Sequence, residues 1–471
     1  MTATEFPLII QGGMGIGVSS WRLARAVALR GQLGVVSGTA VDLSFTRILQ
    51  DGDPGGHLRR AIAAFPVPEI GTEALRRWFR PEGRAPGTGY TLVSMYRHTM
   101  TVARQQLIML ANFCEVWLAR EGQAGPIGIN LLTKVQFPTL ASLYGAVLAG
   151  VDYVLMGAGI PREIPGALDA LAQHQPAQLR ADADFEARPL AFDPATHAGL
   201  AGMNLQRPAF LPIVSSNSLA TMLARKANGK VNGFVVEGPT AGGHNAPPRG
   251  GDRHGPLNER GEPIYGPRDG VDAAKLAELG LPFWLAGGTG SPEGLATARA
   301  AGAAGIQVGT LFAYTDESGL DPALKREVLE GVIAGEVSVR TDPDASPTGY
   351  PFKVVERGGV AIGAADRRRK CDIGALRTMH SHEGRTVYRC PAEPVDDYVK
   401  KGGRVEDTER RRCLCNGLMA DIGLAQVTET GGHEPPLLTA GDDLVTLGRF
   451  LEHTGASSSY TASDAIDWLL T

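Results

Sequence analysis

Eight short apolar runs recur along the first 312 residues, and most of them end in or beside Gly, Ser, Thr or Asn. Continuous apolar runs of this length predict strands of a parallel sheet that is buried on both faces. Stretches with a helical pattern separate the runs, and this alternation predicts an α/β fold of the (β/α)8 TIM-barrel class. The eight predicted strands are residues 7–13, 33–39, 127–132, 153–159, 211–216, 234–237, 283–291 and 305–312.

The chain is longer than a bare barrel of about 250 residues requires. We therefore predict a barrel unit over residues 1–335, with insertions at 51–90 and 174–206. A polar loop from 244 to 270 is long enough to be a lid or a substrate loop. Residues 336–471 are predicted to form a C-terminal extension that carries cysteines, is mostly helical, and ends in a tail that caps the barrel or meets a second subunit.

Composition narrows the range of partners. The chain is 43% hydrophobic and 20% charged with a net charge of −4, which is typical of a globular protein and too mild to indicate nucleic acid or a membrane surface as partner. The N-terminus lacks the basic flank of a targeting signal, so we expect a cytoplasmic protein that acts on a small molecule. Glycine is abundant, with 61 residues, and this predicts many tight turns and close backbone approaches.

The sixth predicted strand leads into Gly242-Gly243-His244. Two glycines without a Cβ allow a flat ligand to approach the backbone, and the imidazole that follows could act as a base beside it. A histidine after such a loop is also often a solvated turn residue. The loops after the seventh and eighth strands of this fold commonly bind phosphate, which favours the first interpretation.

Four of the five cysteines lie within a short part of the C-terminal extension, at Cys371, Cys390, Cys413 and Cys415, whereas Cys114 stands apart. Clustered cysteines in a cytoplasmic protein are consistent with a zinc or iron–sulfur site, with ordinary packed thiols, or with a redox dithiol. Basic residues directly precede Cys371 and Cys413, and cations favour thiolates. His380 and His382 are possible further ligands or exposed loop histidines.

Several motifs carry a resemblance to a known family. QGGMG at 11–15, GIN at 128–130, EGPTAGGH at 237–244, AGGTGS at 286–291 and QVGT at 307–310 resemble the motifs of the nitronate monooxygenase family, formerly named 2-nitropropane dioxygenases. Relatives of that family include the FMN-dependent enoyl-ACP reductases and the trans-acting polyketide enoylreductases. The resemblance extends over residues 5–335 and implies an FMN-dependent oxidoreductase.

The resemblance also implies where the cofactor binds. Residues against the flavin ring and ribityl chain would be Gly12, Gly13, Met14 and Asn130. Groups around the phosphate would come from Gly242, Gly243, Gly287, Gly288, Gly309 and Thr310. His244 matches the active-site histidine of the family. Each of these glycines, taken alone, is equally consistent with a plain turn.

Three functions follow from the sequence. The first is oxidation of a small nitro or nitronate compound with dioxygen. The second is reduction of an enoyl thioester with NAD(P)H as co-substrate, in which an acyl carrier protein is a possible partner. The third is a flavin-binding protein that docks a partner through its C-terminal region, and a homo-oligomer is compatible with all three.

Overall fold

A computed structural model describes residues 6–250, 255–363, 367–428, 431–456 and 458–471. Within these residues, eight parallel strands follow one another around a barrel in the order β1, β2, β3, β4, β7, β8, β9 and β10. The barrel strands are β1 (Ile9–Gln11), β2 (Gly34–Ser37), β3 (Ile127–Leu132), β4 (Tyr153–Gly157), β7 (Ala209–Val214), β8 (Phe234–Glu237), β9 (Phe283–Ala286) and β10 (Gly305–Val308).

The barrel closes between its first and second strands. Leu33 forms a parallel bridge with Ile10, and its backbone N–H donates to the Ile9 carbonyl at 3.1 Å. The other side of β1 pairs with β10 in parallel register from Ile9 with Ile306 to Gln11 with Val308. The predicted barrel is therefore confirmed: seven of the eight predicted runs contain a barrel strand, and the fifth, 211–216, overlaps β7, which begins two residues earlier.

Side chains fill the interior of the barrel below its mouth. This inner layer consists of Ile10, Leu33, Val35, Leu155, Leu211, Val235, Trp284, Ala286 and Ala304. Helices pack closely on the outside of the sheet: a Cβ on Gly34 would lie 1.9 Å from the carbonyl oxygen of Ala24 in the first helix. Because the interior is packed, a ligand can enter the barrel only at its mouth.

The helices surround the barrel and continue into the C-terminal extension. Those up to residue 333 are α1 (Trp21–Leu29), α2 (Val41–Gln50), α3 (His57–Ala63), α4 (Pro68–Trp78), α5 (Val102–Arg120), α6 (Thr139–Leu148), α7 (Ile164–Leu171), α8 (Asn217–Lys226), α9 (Ala273–Ala277), α10 (Pro292–Ala300), α11 (Thr310–Ala313) and α12 (Pro322–Ile333). The later ones are α13 (Val395–Lys400), α14 (Leu414–Asp421), α15 (Leu444–Thr454) and α16 (Ala462–Leu469). No helix in the described part of the chain is long and apolar enough to cross a membrane.

The sequence pattern did not predict the short strands outside the barrel. The insertion at 174–206 contains a hairpin of β5 (Ala177–Leu179) and β6 (Leu190–Phe192). The extension adds, beside its helices, a sheet of β11 (Val337–Asp342), β12 (Phe352–Arg357) and β13 (Val360–Ala361) and a hairpin of β14 (Thr378–His382) and β15 (Arg385–Arg389). Three of these strands, β5, β6 and β13, have only two or three residues and are too short to show a period of two. Of the predicted loop from 244 to 270, residues 251–254 lie outside the described residues.

The C-terminal tail packs on the barrel of its own chain. The Tyr460 hydroxyl donates to the Leu311 carbonyl at 2.6 Å, and Phe450 packs edge to face against Trp468 in α16. Side chains from both sides of residue 335 share one hydrophobic core. The boundary between barrel and extension at that residue stays a prediction.

Candidate active site

A cavity of about 380 Å³ opens at the mouth of the barrel, at the carboxyl ends of the strands. His244 and nine of the ten residues predicted to hold a cofactor line it, which are Gly12, Gly13, Met14, Asn130, Gly242, Gly243, Gly287, Gly309 and Thr310. Gly288 is the exception: it is exposed and does not line the cavity, and a Cβ there would lie 3.3 Å from the Thr240 hydroxyl oxygen. Gly243 and Gly287 have φ angles of +77° and +89°, so these two positions require glycine.

The cavity wall presents buried acceptors that have no partner in the protein. The Asn130 side-chain amide donates to the Gly13 carbonyl at 2.7 Å, which fixes its orientation, while its Oδ1 is buried without a hydrogen bond. The Oε1 atom of Gln307 is likewise buried without a hydrogen bond. Buried polar atoms without a partner cost free energy, so these two acceptors favour a ligand that carries N–H or O–H donors.

His244 is held between the barrel and the extension. Its Nε2 lies 2.7 Å from the Ser346 hydroxyl, and its ring packs edge to face on Phe352 with centroids 4.9 Å apart. The loop that carries His244 runs beside β12, where the Lys353 N–H donates to the Gly243 carbonyl at 2.9 Å. Burial and, as the second cause, the nearby Lys134 ammonium lower the pKa of His244 to about 4. The imidazole is therefore uncharged near neutral pH.

A segment of the extension, Leu438–Asp443, crosses the mouth of the barrel, and we call it the mouth segment. The Gly243 N–H donates to the Thr439 hydroxyl at 2.9 Å, and the Gly441 N–H donates to the Thr310 hydroxyl at 2.9 Å. A Cβ on Gly242 would lie 2.8 Å from the Ala440 carbonyl carbon. Two groups predicted to surround a phosphate thus have partners within the chain.

The site can now be compared with known proteins. Residues 178–342 match the nitronate monooxygenase family. The matched segment is about a third of the chain, and over it the chain is similar to the nitronate monooxygenase family. This similarity agrees with the FMN-dependent oxidoreductase that the sequence motifs predict.

A curated relative matches a shorter stretch. It is the (3aS,4S,5R,7aS)-5-hydroxy-7a-methyl-1-oxo-octahydro-1H-indene-4-carboxyl-CoA dehydrogenase of Mycobacterium tuberculosis, which is 34% identical over 122 residues. The match covers 24% of this chain and 32% of the relative. The alignment thus spans about a third of the length of the curated relative.

Solved structures resemble the chain over nearly its whole length but only loosely. FabK from Thermotoga maritima is 16% identical at a TM-score of 0.47 and covers 99% of this chain and 92% of its own. The nitroalkane oxidase of Streptomyces ansochromogenes is 15% identical at 0.43 and covers 98% of each chain. The enoyl reductase domain of MlnA from Bacillus amyloliquefaciens is 12% identical at a TM-score of 0.48, and the match covers 98% of this chain and 93% of that domain. Likenesses at this level establish nothing about activity.

The cavity residues fit FMN. The flavin ring system and its sugar-alcohol chain carry N–H and O–H donors, which suit the unpartnered oxygens of Asn130 and Gln307. The glycines of the wall leave space that a Cβ would fill. The family site residues therefore have the chemistry that the cofactor requires, and Gly12, Gly13, Met14 and Asn130 remain the predicted flavin contacts.

Three carboxyl groups in the wall were not predicted from the sequence. They belong to Glu237 at the end of β8, Asp421 at the end of α14, and Asp443 in the mouth segment. Burial raises the pKa of Glu237 to about 7, that of Asp421 to about 8, and that of Asp443 above its usual range. Glu237 and Asp421 are therefore substantially protonated at neutral pH, which limits negative charge beside a bound phosphate.

The four cysteines of the extension lie apart from this cavity and line a second, much smaller one. Burial raises the pKa of all four thiols, that of Cys371 to about 12, and outweighs the neighbouring Arg367. The expectation that the basic runs favour thiolates is therefore wrong for this structure. Among the described residues, no three His, Cys, Asp or Glu side chains stand close enough to hold a metal ion. The metal site stays a prediction.

Proposed function

We propose that the protein oxidises a small nitronate with dioxygen as the final electron acceptor. The observation that carries this proposal is the uncharged imidazole of His244, which faces the cavity and is fixed at 2.7 Å by the Ser346 hydroxyl. FMN, when bound, supplies the acceptor for two electrons. The remaining requirements are to bind an anion and to exchange a proton, and the chain has a residue for each.

The anion would be bound near Lys134. The Lys134 ammonium lies 4.6 Å from the ring centroid of Tyr350, a residue of the cavity wall. It is also close enough to His244 to lower the pKa of the imidazole. A nitronate is negatively charged, so a cation at this wall favours its entry. The neutral imidazole can then donate its ring N–H to a nitronate oxygen, or accept the α-proton of a nitroalkane to form the nitronate, without a competing charge of its own.

The second candidate is the reduction of an enoyl thioester with NAD(P)H. It is favoured by the Mycobacterium tuberculosis relative, whose name describes a CoA-thioester dehydrogenase. It is also favoured by Glu237, since a carboxyl group with a pKa of about 7 can donate a proton to the substrate. In that case an acyl carrier protein or coenzyme A would present the substrate at the mouth of the barrel.

Anaerobic reduction of the flavin separates the two candidates. The purified protein is mixed separately with an alkyl nitronate, NADH and NADPH, and the visible flavin band is followed. We expect the nitronate to bleach the flavin rapidly and oxygen to restore the band. Fast bleaching by a nicotinamide cofactor, followed by reoxidation with an enoyl-CoA, would overturn the first candidate and support the second.

A further inference from the structure

The four cysteines come from three separate segments and meet at one small cavity. Cys371 precedes the β14–β15 hairpin, Cys390 follows it directly, and Cys413 and Cys415 lie at the start of α14. The cavity they line has a volume of about 10 Å³. A space of that size holds about one water-sized sphere, so it suits a single ion and is too small for a multi-iron cluster.

Backbone N–H groups interact with two of the four sulfur atoms. Ala392 donates to Cys390, and both Ala375 and Leu376 donate to Cys415. An N–H donor stabilises a thiolate more than a thiol. Donors to sulfur of this kind also orient and tune the ligands of metal–thiolate centres. A merely packed thiol has no need of them.

Charged groups around the cavity suit a metal–thiolate centre. Glu393 lines the cavity and is only 3% exposed; its Oε2 accepts from the Lys401 ammonium at 2.7 Å, whereas its Oε1 is buried without a partner. Arg367 and Arg377 interact electrostatically with the cysteines. Four thiolates around a divalent ion carry a net charge of −2, which these cations would offset.

We propose that Cys371, Cys390, Cys413 and Cys415 bind one Zn²⁺ ion as a tetrahedral thiolate site. Zinc accepts four thiolates, has no redox requirement and needs only the space of one ion. Binding releases the four thiol protons to solvent and forms four Zn–S bonds. The thiols face the cavity without standing at metal-holding distance, so the side chains must draw in around the ion, as expected where a site forms only with its metal.

The zinc site would stabilise the segments that form one wall of the flavin cavity. Pro347 lines the cysteine cavity, and the adjacent Ser346 holds His244. Helix α14 begins at the cysteines and ends at Asp421 in the wall of the flavin cavity. The ion would therefore be structural, and its presence does not depend on which substrate the flavin site takes.

Metal analysis of the full-length chain tests this proposal. The protein is purified without chelators, and zinc, iron and acid-labile sulfide are measured per chain. We expect one zinc ion per chain. As a mercurial reagent modifies the four thiols, zinc should be released in proportion to the number of thiols modified. Cys390→Ser and Cys415→Ser should each abolish stoichiometric zinc. Cys114→Ser is the matched control, because that buried cysteine lies in α5 and should leave zinc unchanged.

A cobalt experiment keeps the test valid if the serine variants do not fold. Wild-type protein in which Co²⁺ replaces the native ion should show the sulfur-to-metal charge-transfer and d–d bands of a tetrahedral thiolate. Absence of these bands, metal-free protein with four reactive thiols, a disulfide among the four, or iron with acid-labile sulfide would each overturn the zinc site.

Discussion

The flavin cavity and the cysteine cavity differ in size and chemistry, although Ser346-Pro347 and helix α14 border both. The first measures about 380 Å³ and presents unpartnered amide oxygens, glycine loops and protonated carboxyl groups. The second measures about 10 Å³ and presents sulfur. A large, mostly apolar cavity with a few polar groups at a barrel mouth suits a cofactor and its substrate, whereas a small sulfur-lined one suits a single soft ion. If the zinc proposal holds, the extension both completes the active site and is stabilised by its own metal ion.

The largest effect should come from His244→Ala. We expect the turnover number to fall by about 100-fold or more, because general acid–base groups contribute on that scale. Bound FMN and bound zinc should stay at wild-type levels. His453→Ala, an exposed position in α15, is the control. Turnover of H244A at the wild-type rate would remove the imidazole from the mechanism.

Gly13→Ala should reduce FMN binding, because it changes the shape of the flavin cavity and removes no group that takes part in the reaction. The added Cβ would lie 2.1 Å from the Asn130 Cβ, so the Asn130 amide must move. Overpacking of this kind costs about 1–3 kcal/mol, and we expect a variant that is purified with little FMN. Gly202→Ala, where a Cβ meets nothing within 4 Å, should keep its flavin. Full flavin content in G13A would argue against a flavin contact at this loop.

Ser346→Ala should have a smaller effect and tests the connection between the two cavities. Loss of its hydrogen bond to His244 removes about 0.5–1.5 kcal/mol, which corresponds to at most about a tenfold fall in turnover. Zinc content should not change, since the substituted hydroxyl faces the flavin side. A parallel loss of zinc would show that the two cavities are not independent.

The smallest effect should be a shift in pH dependence. The active imidazole is neutral, so activity should fall as pH drops through about 4, the pKa of His244. Lys134→Gln removes a cation that lowers this pKa, so the pKa should rise and activity should be lost at a higher pH than in the wild type. The pH profile of kcat/KM measures the change. A fall at lower pH than in the wild type would contradict the assigned electrostatics.

The barrel mouth shows how far sequence patterns reach. The eight strands were predicted because each is a local apolar run with glycine or a small polar residue at its end. Nine of the ten predicted cofactor residues line one cavity for the same reason: carboxyl ends of parallel strands meet at one rim. Gly288, the next residue after Gly287, does not line the cavity, and its contact with the cofactor stays a prediction.

Most of the residues that were missed belong to the extension; Glu237, at the end of β8, does not. Ser346, Asp421 and Asp443 reach the cavity from segments more than 100 residues away from His244 in the chain, and no local period marks them. Small residues in the mouth segment, Thr439-Ala440-Gly441, resemble those of the barrel loops and were the only available signal. The strands of the extension were missed because pairing, rather than the residues of one strand, defines them.

The sequence alone determined the barrel, its loop chemistry and the grouping of four cysteines, because periodicity, glycine placement and residue type are local properties. Only the tertiary structure decided that the extension closes the barrel mouth, that buried carboxyl groups line the cavity, and that four thiols face one space. Burial then reversed an expectation drawn from neighbouring charges: it raised the pKa of cysteines that follow arginine runs. Desolvation of a group depends on which parts of the whole fold surround it, so it cannot be predicted from the neighbouring residues in the sequence.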